Sequence, residues 1–472
     1  MTKNTKIVAT YGPSIAKPEI LRAVLEAGAD VIRLNFSYGA PEEHERAIRD
    51  IRAAAATLGR PVAILQDLRG PKIRVGHLPP GGIVLSAGEI VPLEMGLDAA
   101  PGAIPIEGHA GLASEVRPGE PILLDDGAIR LRVLDATPAR IRCEVLAGGP
   151  LLSGKGVNLP DTRLSALETV TEKDRADLAF GIRAGVDYVA LSFVRSPRDV
   201  RELRRLQSEQ GAAIPIVAKI EKREALHELP QILEESDGVM VARGDLGVET
   251  DLEEVALRQK EIILACNREG KIVITATQML ESMITHPSPT RAEVSDVSNA
   301  VLDGTDAVML SGETSVGTYP VETVAFMARI VERTEARFPR HLVGLVHPLL
   351  AEVPDAVAHA ACTLAEEIRA DALVCLTRSG RTAQLVSRYR PACPILALSP
   401  DAATVRRLAI VWGVEPMYGG PETASGDGVR EAIECARATG RFRPGARIVI
   451  TSGVRDGSLG GVTNSVRVES FP

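Results

Sequence analysis

Short apolar runs, each followed by a segment with apolar residues at helical spacing, recur eight times and leave this chain few architectures. They fall at Lys6–Thr10, Asp30–Leu34, Val62–Gln66, Asp187–Leu191, Pro215–Ile220, Gly238–Ala242, Lys271–Thr275 and Asp306–Leu310. Alternation of this kind predicts an α/β fold, and eight units predict a closed parallel (β/α)8 barrel with its helices outside. An open doubly wound sheet is the alternative. The repeat breaks once, from Pro71 to Gly154, where short alternating strands are punctuated by Gly and Pro, as in His77-Leu-Pro-Pro-Gly-Gly82. That stretch reads as an inserted, mostly β domain, and removing it leaves roughly 250 residues, the usual barrel size. After Phe338-Pro-Arg340 a new α/β series begins, with strands expected at Ala372–Leu376, Pro394–Leu398 and Arg447–Thr451. The predicted organisation is a barrel over 1–70 and 155–340, an insert over 71–154, and a C-terminal open-sheet domain over 341–472.

Bulk properties narrow the function classes. A formal charge of −8 gives no footprint for nucleic acid or a membrane surface, so an anionic ligand needs local lysines and arginines. The six cysteines (Cys143, Cys266, Cys362, Cys375, Cys393, Cys435) are scattered without a CxxC pair, as expected of reduced thiols in the cytosol. The N-terminus runs directly into a strand without an apolar signal region, and no stretch reaches the 18 or so apolar residues of a membrane helix. A cytoplasmic protein is expected.

In a parallel barrel the chemistry belongs at the C-terminal strand ends. There the first run ends in Thr10-Tyr-Gly-Pro-Ser14, the second in Arg33-Leu-Asn-Phe-Ser37, and the third in Gln66-Asp-Leu-Arg-Gly-Pro-Lys-Ile-Arg74. The fifth carries Lys219 and Glu221, the sixth Arg243-Gly-Asp245, the seventh Thr275-Ala-Thr-Gln-Met279 and the eighth Met309-Leu-Ser-Gly-Glu313. Each has a bland reading. Arg33 could be a surface arginine, Lys219 and Glu221 an exposed salt bridge, Asp245 a helix N-cap, and Thr277 and Ser311 partners of nearby backbone. Jointly these readings fail, because they do not account for polar groups at the equivalent ends of so many strands. Glu221 and Asp245 about 4 Å apart would repel by roughly 4 kcal/mol at a dielectric of 20, so a hard divalent ion with oxygen ligands belongs between them. Lys219, Arg33 and Arg74 offer positive charge for phosphate, and Gly244 and Asp245 offer backbone N–H groups at a helix start. Phosphoryl transfer needs in-line positioning and charge neutralisation more than covalent help.

Over essentially its whole length the chain resembles the pyruvate kinase family. The matching blocks include Thr5-Lys-Ile-Val-Ala-Thr-Tyr-Gly-Pro13, Gly70-Pro-Lys-Ile-Arg74, Lys155-Gly-Val-Asn-Leu-Pro160, Ala218-Lys-Ile-Glu221, Met240-Val-Ala-Arg-Gly-Asp-Leu-Gly-Val-Glu249, Ala276-Thr-Gln-Met-Leu-Glu-Ser-Met283 and Met309-Leu-Ser-Gly-Glu-Thr314. The resemblance implies a homotetramer of TIM barrel, β-barrel lid and C-terminal regulatory domain. It implies transfer of phosphate from phosphoenolpyruvate to ADP in glycolysis, giving pyruvate and ATP. By the same resemblance Glu221 and Asp245 ligate Mg2+ or Mn2+, and Lys219 stabilises the phosphoryl group in flight. Thr277, with the Gly244 and Asp245 backbone, holds the substrate carboxylate, and Arg33 contacts phosphate. Arg74 and Lys155, with Asn35, serve the nucleotide, and Ser311 belongs to a polar chain that delivers a proton to the enolate.

Two departures qualify the resemblance. Many relatives bind K+ through residues matching Asn35, Ser37, Asp67 and the backbone carbonyl of Leu68, and carry threonine and glutamate where this chain has Leu68 and Lys72. The Lys72 ammonium can supply that charge itself, since a unit charge ~5 Å from a phosphate is worth about 3 kcal/mol at a dielectric of 20. Activity without K+ is therefore expected. Tyr38 stands where many relatives place a histidine near the nucleotide. In the third domain Thr377-Arg-Ser-Gly-Arg-Thr382 (Thr377, Ser379, Gly380, Arg381 and Thr382) forms a candidate cradle for a phosphorylated effector, or else Ser379 merely caps a helix. That domain contains no lysine, so a second phosphate would fall to arginines such as Arg378 or Arg455. Two competing classes are a metal-dependent C–C lyase or aldolase acting on 2-keto acids, which has no use for a nucleotide-binding lid, and a non-catalytic metabolite sensor, which has no use for the Lys219, Glu221, Asp245 and Thr277 set.

Overall fold

A computed structural model describes residues 3–164, 166–337, 352–419, 428–453 and 462–470. The expected domain boundary near residue 340 and Arg455 lie outside them. Eight parallel strands close a barrel in chain order: Lys6–Thr10, Val31–Asn35, Ala63–Asp67, Tyr188–Leu191, Ile216–Ile220, Gly238–Ala242, Ile272–Ala276 and Ala307–Leu310. Closure excludes the open sheet. Six strands begin one residue later than their apolar pattern suggests, and in three of them the residue ahead, Asp30, Asp187 or Asp306, is an aspartate with another task. Asp30, Asp187, Asp237 and Asp306 precede the second, fourth, sixth and eighth strands, and each accepts an N–H from the strand before: Ile7, Ile64, Ile216 and Val273, all at 2.8 Å. A side chain thus satisfies a strand-end donor that the ladder leaves over.

Outward side chains of the strands pack under the surrounding helices in one apolar cluster. Inward ones such as Val8, Leu65, Val217, Met240 and Met309 form a second cluster, which continues into the C-terminal domain through Ala358, Leu373 and Ile395. Helices Glu172–Ala184 and Arg291–Asp303 begin at capping boxes (Thr171 with Asp174, Thr290 with Glu293), and Gly185 and Gly304 end them in the left-handed conformation.

Between the third and fourth strands the chain leaves the barrel to build a seven-stranded sheet running from Arg74–Val75 to Val157–Asn158, with a two-stranded companion. It surrounds its own apolar core. The last of these strands lies past Gly154, because Val157 and Asn158 pair with Leu124 and Leu123. Gly70, at φ +67°, makes the departure from the barrel, where a Cβ would sit 3.0 Å from the Cβ of Ser192.

The C-terminal domain holds a five-stranded sheet in the order Val414–Tyr418, Ile395–Ser399, Ala372–Leu376, Arg447–Ser452 and Ser465–Ser470, the last antiparallel. It docks on the N-terminal rim of the barrel. Tyr188 Oη donates to the Arg407 carbonyl at 2.9 Å, Lys6 Nζ to the Val414 carbonyl at 2.7 Å, and Arg406 and Arg390 reach Asp187 and Asp306 at 2.9 and 2.8 Å. Among the described residues, no helix is long and apolar enough to cross a membrane.

Candidate active site

Strand register assembles the C-terminal rim. Thr10 pairs with Arg33, Asn35 with Asp67, Asp67 with Ala190, and Ala242 with Ala276. The side chains that follow therefore leave neighbouring strands together. At the centre is Lys219, which is buried rather than an exposed strand end. Its Nζ lies 2.8 Å from Glu221 Oε1 and 3.4 Å from Asp67 Oδ1, and donates to Ser192 Oγ at 2.7 Å. Burial pushes this ammonium down, but Asp67 and Glu221 outweigh it and hold it above its ordinary pKa. Lys219 is thus held in its charged form at neutral pH.

Arg33 is no surface arginine. It is 9 % exposed, its Nε donates to Asp67 Oδ2 at 2.6 Å, and its Nη1 donates to Thr10 Oγ1 at 3.1 Å. Burial would raise the Asp67 carboxyl, but Lys219 and Arg33 hold it below the usual range. Glu221 differs. Burial pushes its carboxyl up, Lys219 pulls against that, and the like charge of Asp245 pushes it up again, leaving it above its ordinary value. Its Oε2 also accepts the Phe193 N–H at 2.6 Å.

Two carboxylates near enough for one to raise the other are a donor set suited to a hard cation. Among the described residues, no group of three or more His, Cys, Asp or Glu gathers as a metal site.

Asp245 sits in the first turn of the helix Arg243–Glu249, whose N-cap is Ala242, so it does not cap that helix. Lys72, arriving from the lid side, places Nζ 3.4 Å from Asp245 Oδ1. Of the four groups matched to a K+ site, three already meet protein donors. Asp67 is held as above, Asn35 Oδ1 accepts the Ser37 N–H at 3.1 Å, and the Leu68 carbonyl accepts Ser192 Oγ at 2.8 Å. Thr277 Oγ1 accepts the Gly244 N–H at 2.8 Å and donates to the Ala276 carbonyl at 2.6 Å. The Gly244 N–H expected to face an anion is thus turned to Thr277. The Ser311 N–H donates to Glu313 Oε2 at 2.7 Å, and burial raises the Glu313 carboxyl.

Arg74 and Lys155 come together on the lid, where the Val75 N–H donates to the Lys155 carbonyl at 2.8 Å. Arg74 Nη1 donates to the Gly154 carbonyl at 2.7 Å, and the Lys155 ammonium pairs with Asp125 at 2.8 Å. Tyr38 is exposed. A small cleft between barrel and lid is lined by Lys72, Asn158, Phe193, Arg195 and Lys222 among others. In the C-terminal domain the helix Arg381–Arg388 is capped by Gly380 at φ +89°, not by Ser379, and the Gly380 N–H donates to Thr377 Oγ1 at 3.0 Å.

Two participants escaped sequence reasoning, and a third, Arg243, is read from the sequence only as a charge at the sixth strand end. Ser192, which holds Lys219, directly follows the fourth strand, the one strand end left unread. Glu249 accepts from both Lys222 (2.6 Å) and the lid residue Asn158 (2.7 Å), a tie across domains that no local pattern announces. Arg243 reaches the seventh strand end, as described below.

A closed parallel barrel with a buried charged lysine and two mutually repelling carboxylates at its C-terminal rim, under a lid that brings Arg74 and Lys155 together, is an arrangement that fits a phosphotransferase. The family model "Pyruvate kinase, barrel domain" matches residues 2–324, and "Pyruvate kinase, alpha/beta domain" matches residues 355–469. The chain is 45 % identical to "Pyruvate kinase 2" of Synechocystis sp. (99 % of this chain, 79 % of that protein) and 45 % identical to "Pyruvate kinase" of Agrobacterium vitis (99 % and 98 %). It is 43 % identical to "Pyruvate kinase" of Staphylococcus aureus, covering 99 % of this chain and 80 % of that protein. The chain belongs to the pyruvate kinase family.

Proposed function

We propose that this enzyme moves the phosphoryl group of phosphoenolpyruvate to ADP with Mg2+ or Mn2+ and without a requirement for K+. The observation that carries the reading is the buried Lys219 ammonium between Asp67 and Glu221, with Asp245 near enough for its charge to act on Glu221. Glu221 and Asp245 would hold the divalent ion, which when bound neutralises charge on the phosphate oxygens. Lys219 stays protonated, so it stabilises charge on the phosphoryl group and on the enolate oxygen rather than acting as a base. As the bond from phosphorus to the enol oxygen breaks and a new one forms to the terminal oxygen of ADP, the enolate left behind takes up a proton at carbon. Ser311 is assigned to the polar chain serving that proton.

Arg33, anchored through Nε and Nη1, keeps its remaining N–H groups for phosphate. The Thr277 hydroxyl is assigned to the substrate carboxylate. Arg74 and Lys155 are assigned to the nucleotide phosphates, Lys155 exchanging Asp125 for its ligand. Independence from K+ rests on Lys72 beside Asp245 and on the donors already facing Asn35, Asp67 and Leu68.

The test is a pyruvate-forming assay with phosphoenolpyruvate, ADP and Mg2+ in Na+/K+-free and K+ buffers, on wild type and Lys219→Met. Equal rates in the two buffers and a collapse in the variant are expected. A rate that appears only with K+ defeats the monovalent-ion part, and absence of pyruvate in all buffers defeats the whole.

A further inference from the structure

The turn after the seventh strand is held in an unusual backbone. Thr277 and Gln278 both have positive φ, 69° and 54°, and neither is glycine. A β-branched residue in the left-handed region is an outlier that persists only where its surroundings force it. Here the forcing group is identifiable. Arg243 leaves the sixth strand beside Thr277, because Ala242 and Ala276 are register partners. Its Nη2 donates to the Thr277 carbonyl at 2.6 Å and its Nε to the Ala276 carbonyl at 3.2 Å. On its other side Nη1 donates to Asp296 at 2.7 Å and to Gln259 at 3.3 Å, which fixes the guanidinium against the helices behind it. One planar fork therefore clamps two successive carbonyls across the bend, a geometry an ammonium cannot reproduce.

We propose that Arg243 is a positioning residue, which pins the left-handed Thr277–Gln278 turn and thereby aims the Thr277 hydroxyl. The proposal rests on the assignment of Thr277 to the substrate carboxylate, and it names the part that sets that contact. Arg243 itself touches no reacting atom in this scheme. Its loss should appear in KM for phosphoenolpyruvate more than in kcat, as expected when a binding group is misplaced. Misplacement on the order of 1 Å costs up to about 10²-fold.

The experiment compares wild type, Arg243→Gln, Gln278→Gly and the double variant, reading KM for phosphoenolpyruvate, kcat and thermal midpoint. Gln278 is exposed and glycine adopts positive φ freely, so Gln278→Gly should leave wild-type kinetics in place. Arg243→Gln should raise KM about tenfold or more, and adding Gln278→Gly should restore part of that loss. A merely structural role for Arg243 predicts no rescue by glycine, and that result overturns the proposal, as does an unchanged KM in Arg243→Gln. If Arg243→Gln does not fold, Arg243→Lys and Asp296→Asn replace it, and wild-type KM in both overturns the proposal. An active wild type with an inactive Lys219→Met and an unaffected Arg243→Gln defeats this inference alone. A wild type that forms no pyruvate defeats the reaction it rests on and this inference with it.

Discussion

The two rims of the barrel are built from the same residue types and differ in how their charges are paired. At the N-terminal rim Asp30, Asp187, Asp237 and Asp306 each combine a backbone N–H with an arginine: Arg60 (2.6 Å), Arg52 and Arg406 (2.7 and 2.9 Å), Arg204 (3.1 Å) and Arg390 (2.8 Å). Lys3 adds a further contact to Asp30. Every carboxylate in that set has its counter-charge, and two of the arginines belong to the C-terminal domain. At the C-terminal rim Asp67 is likewise satisfied, by Arg33 and Lys219, while Glu221 and Asp245 meet Lys219 (2.8 Å) and Lys72 (3.4 Å) and also repel one another. At the N-terminal rim paired charge joins domains, whereas at the C-terminal rim one lysine is shared between two carboxylates and a third carboxylate repels one of them.

The largest effect that can break this contrast is at the N-terminal rim. Arg390→Ala leaves the buried Asp306 unpaired, and removing one partner of a buried pair costs about 3–5 kcal/mol. Denaturant unfolding should show that loss while turnover per folded molecule stays near wild type. An unchanged unfolding midpoint would mean that the N-terminal rim is not held by charge. Next, Lys219→Met at the C-terminal rim should slow turnover by ~10²–10³, or roughly 3–4 kcal/mol of barrier, with the far-UV spectrum of the Mg2+-loaded protein unchanged. Turnover within a few-fold of wild type would dissolve the distinction from the other side.

The smallest effect sharpens the contrast through pH. Burial pushes the Lys6 ammonium down to about 8 against the opposing pull of Asp30. Below pH 8 the group is charged in folded and unfolded chains alike. Between about 8 and 10.5 the unfolded chain keeps a proton that the folded one releases, so stability rises with pH by about 3 kcal/mol from this residue. Lys6→Met should lack that increment. Denaturation of both proteins at pH 7.5 and 10.5 (values chosen about the window) checks it, and parallel pH responses would show that Lys6 titrates normally.

Much of this was legible along the chain. The eight barrel strands announced themselves because a strand buried on both faces is a continuous apolar run. The insert announced itself by the loss of that pattern. In the C-terminal domain Val414–Tyr418 and Ser465–Ser470 went unread for a physical reason. Both are sheet edges, where Pro416 and the alternating Val466-Arg-Val-Glu469 are tolerated and no apolar run is required. In the site, Lys219, Glu221 and Asp245 were found by their place after apolar runs. Arg243 stands in the same pattern, but its partners do not, and Ser192 occupies an equivalent place that only its partners distinguish.

The chain by itself determined which residue types stand at which strand ends, because burial on a parallel barrel is written as short-range periodicity. It did not determine which charges would meet. Asp187 finds Arg406 at a separation of 219 residues, and Thr277 is bent by an arginine 34 residues away. Whether a carboxylate meets an arginine, a lysine or the field of another carboxylate depends on distances of a few ångströms between remote segments, and only the folded barrel sets those.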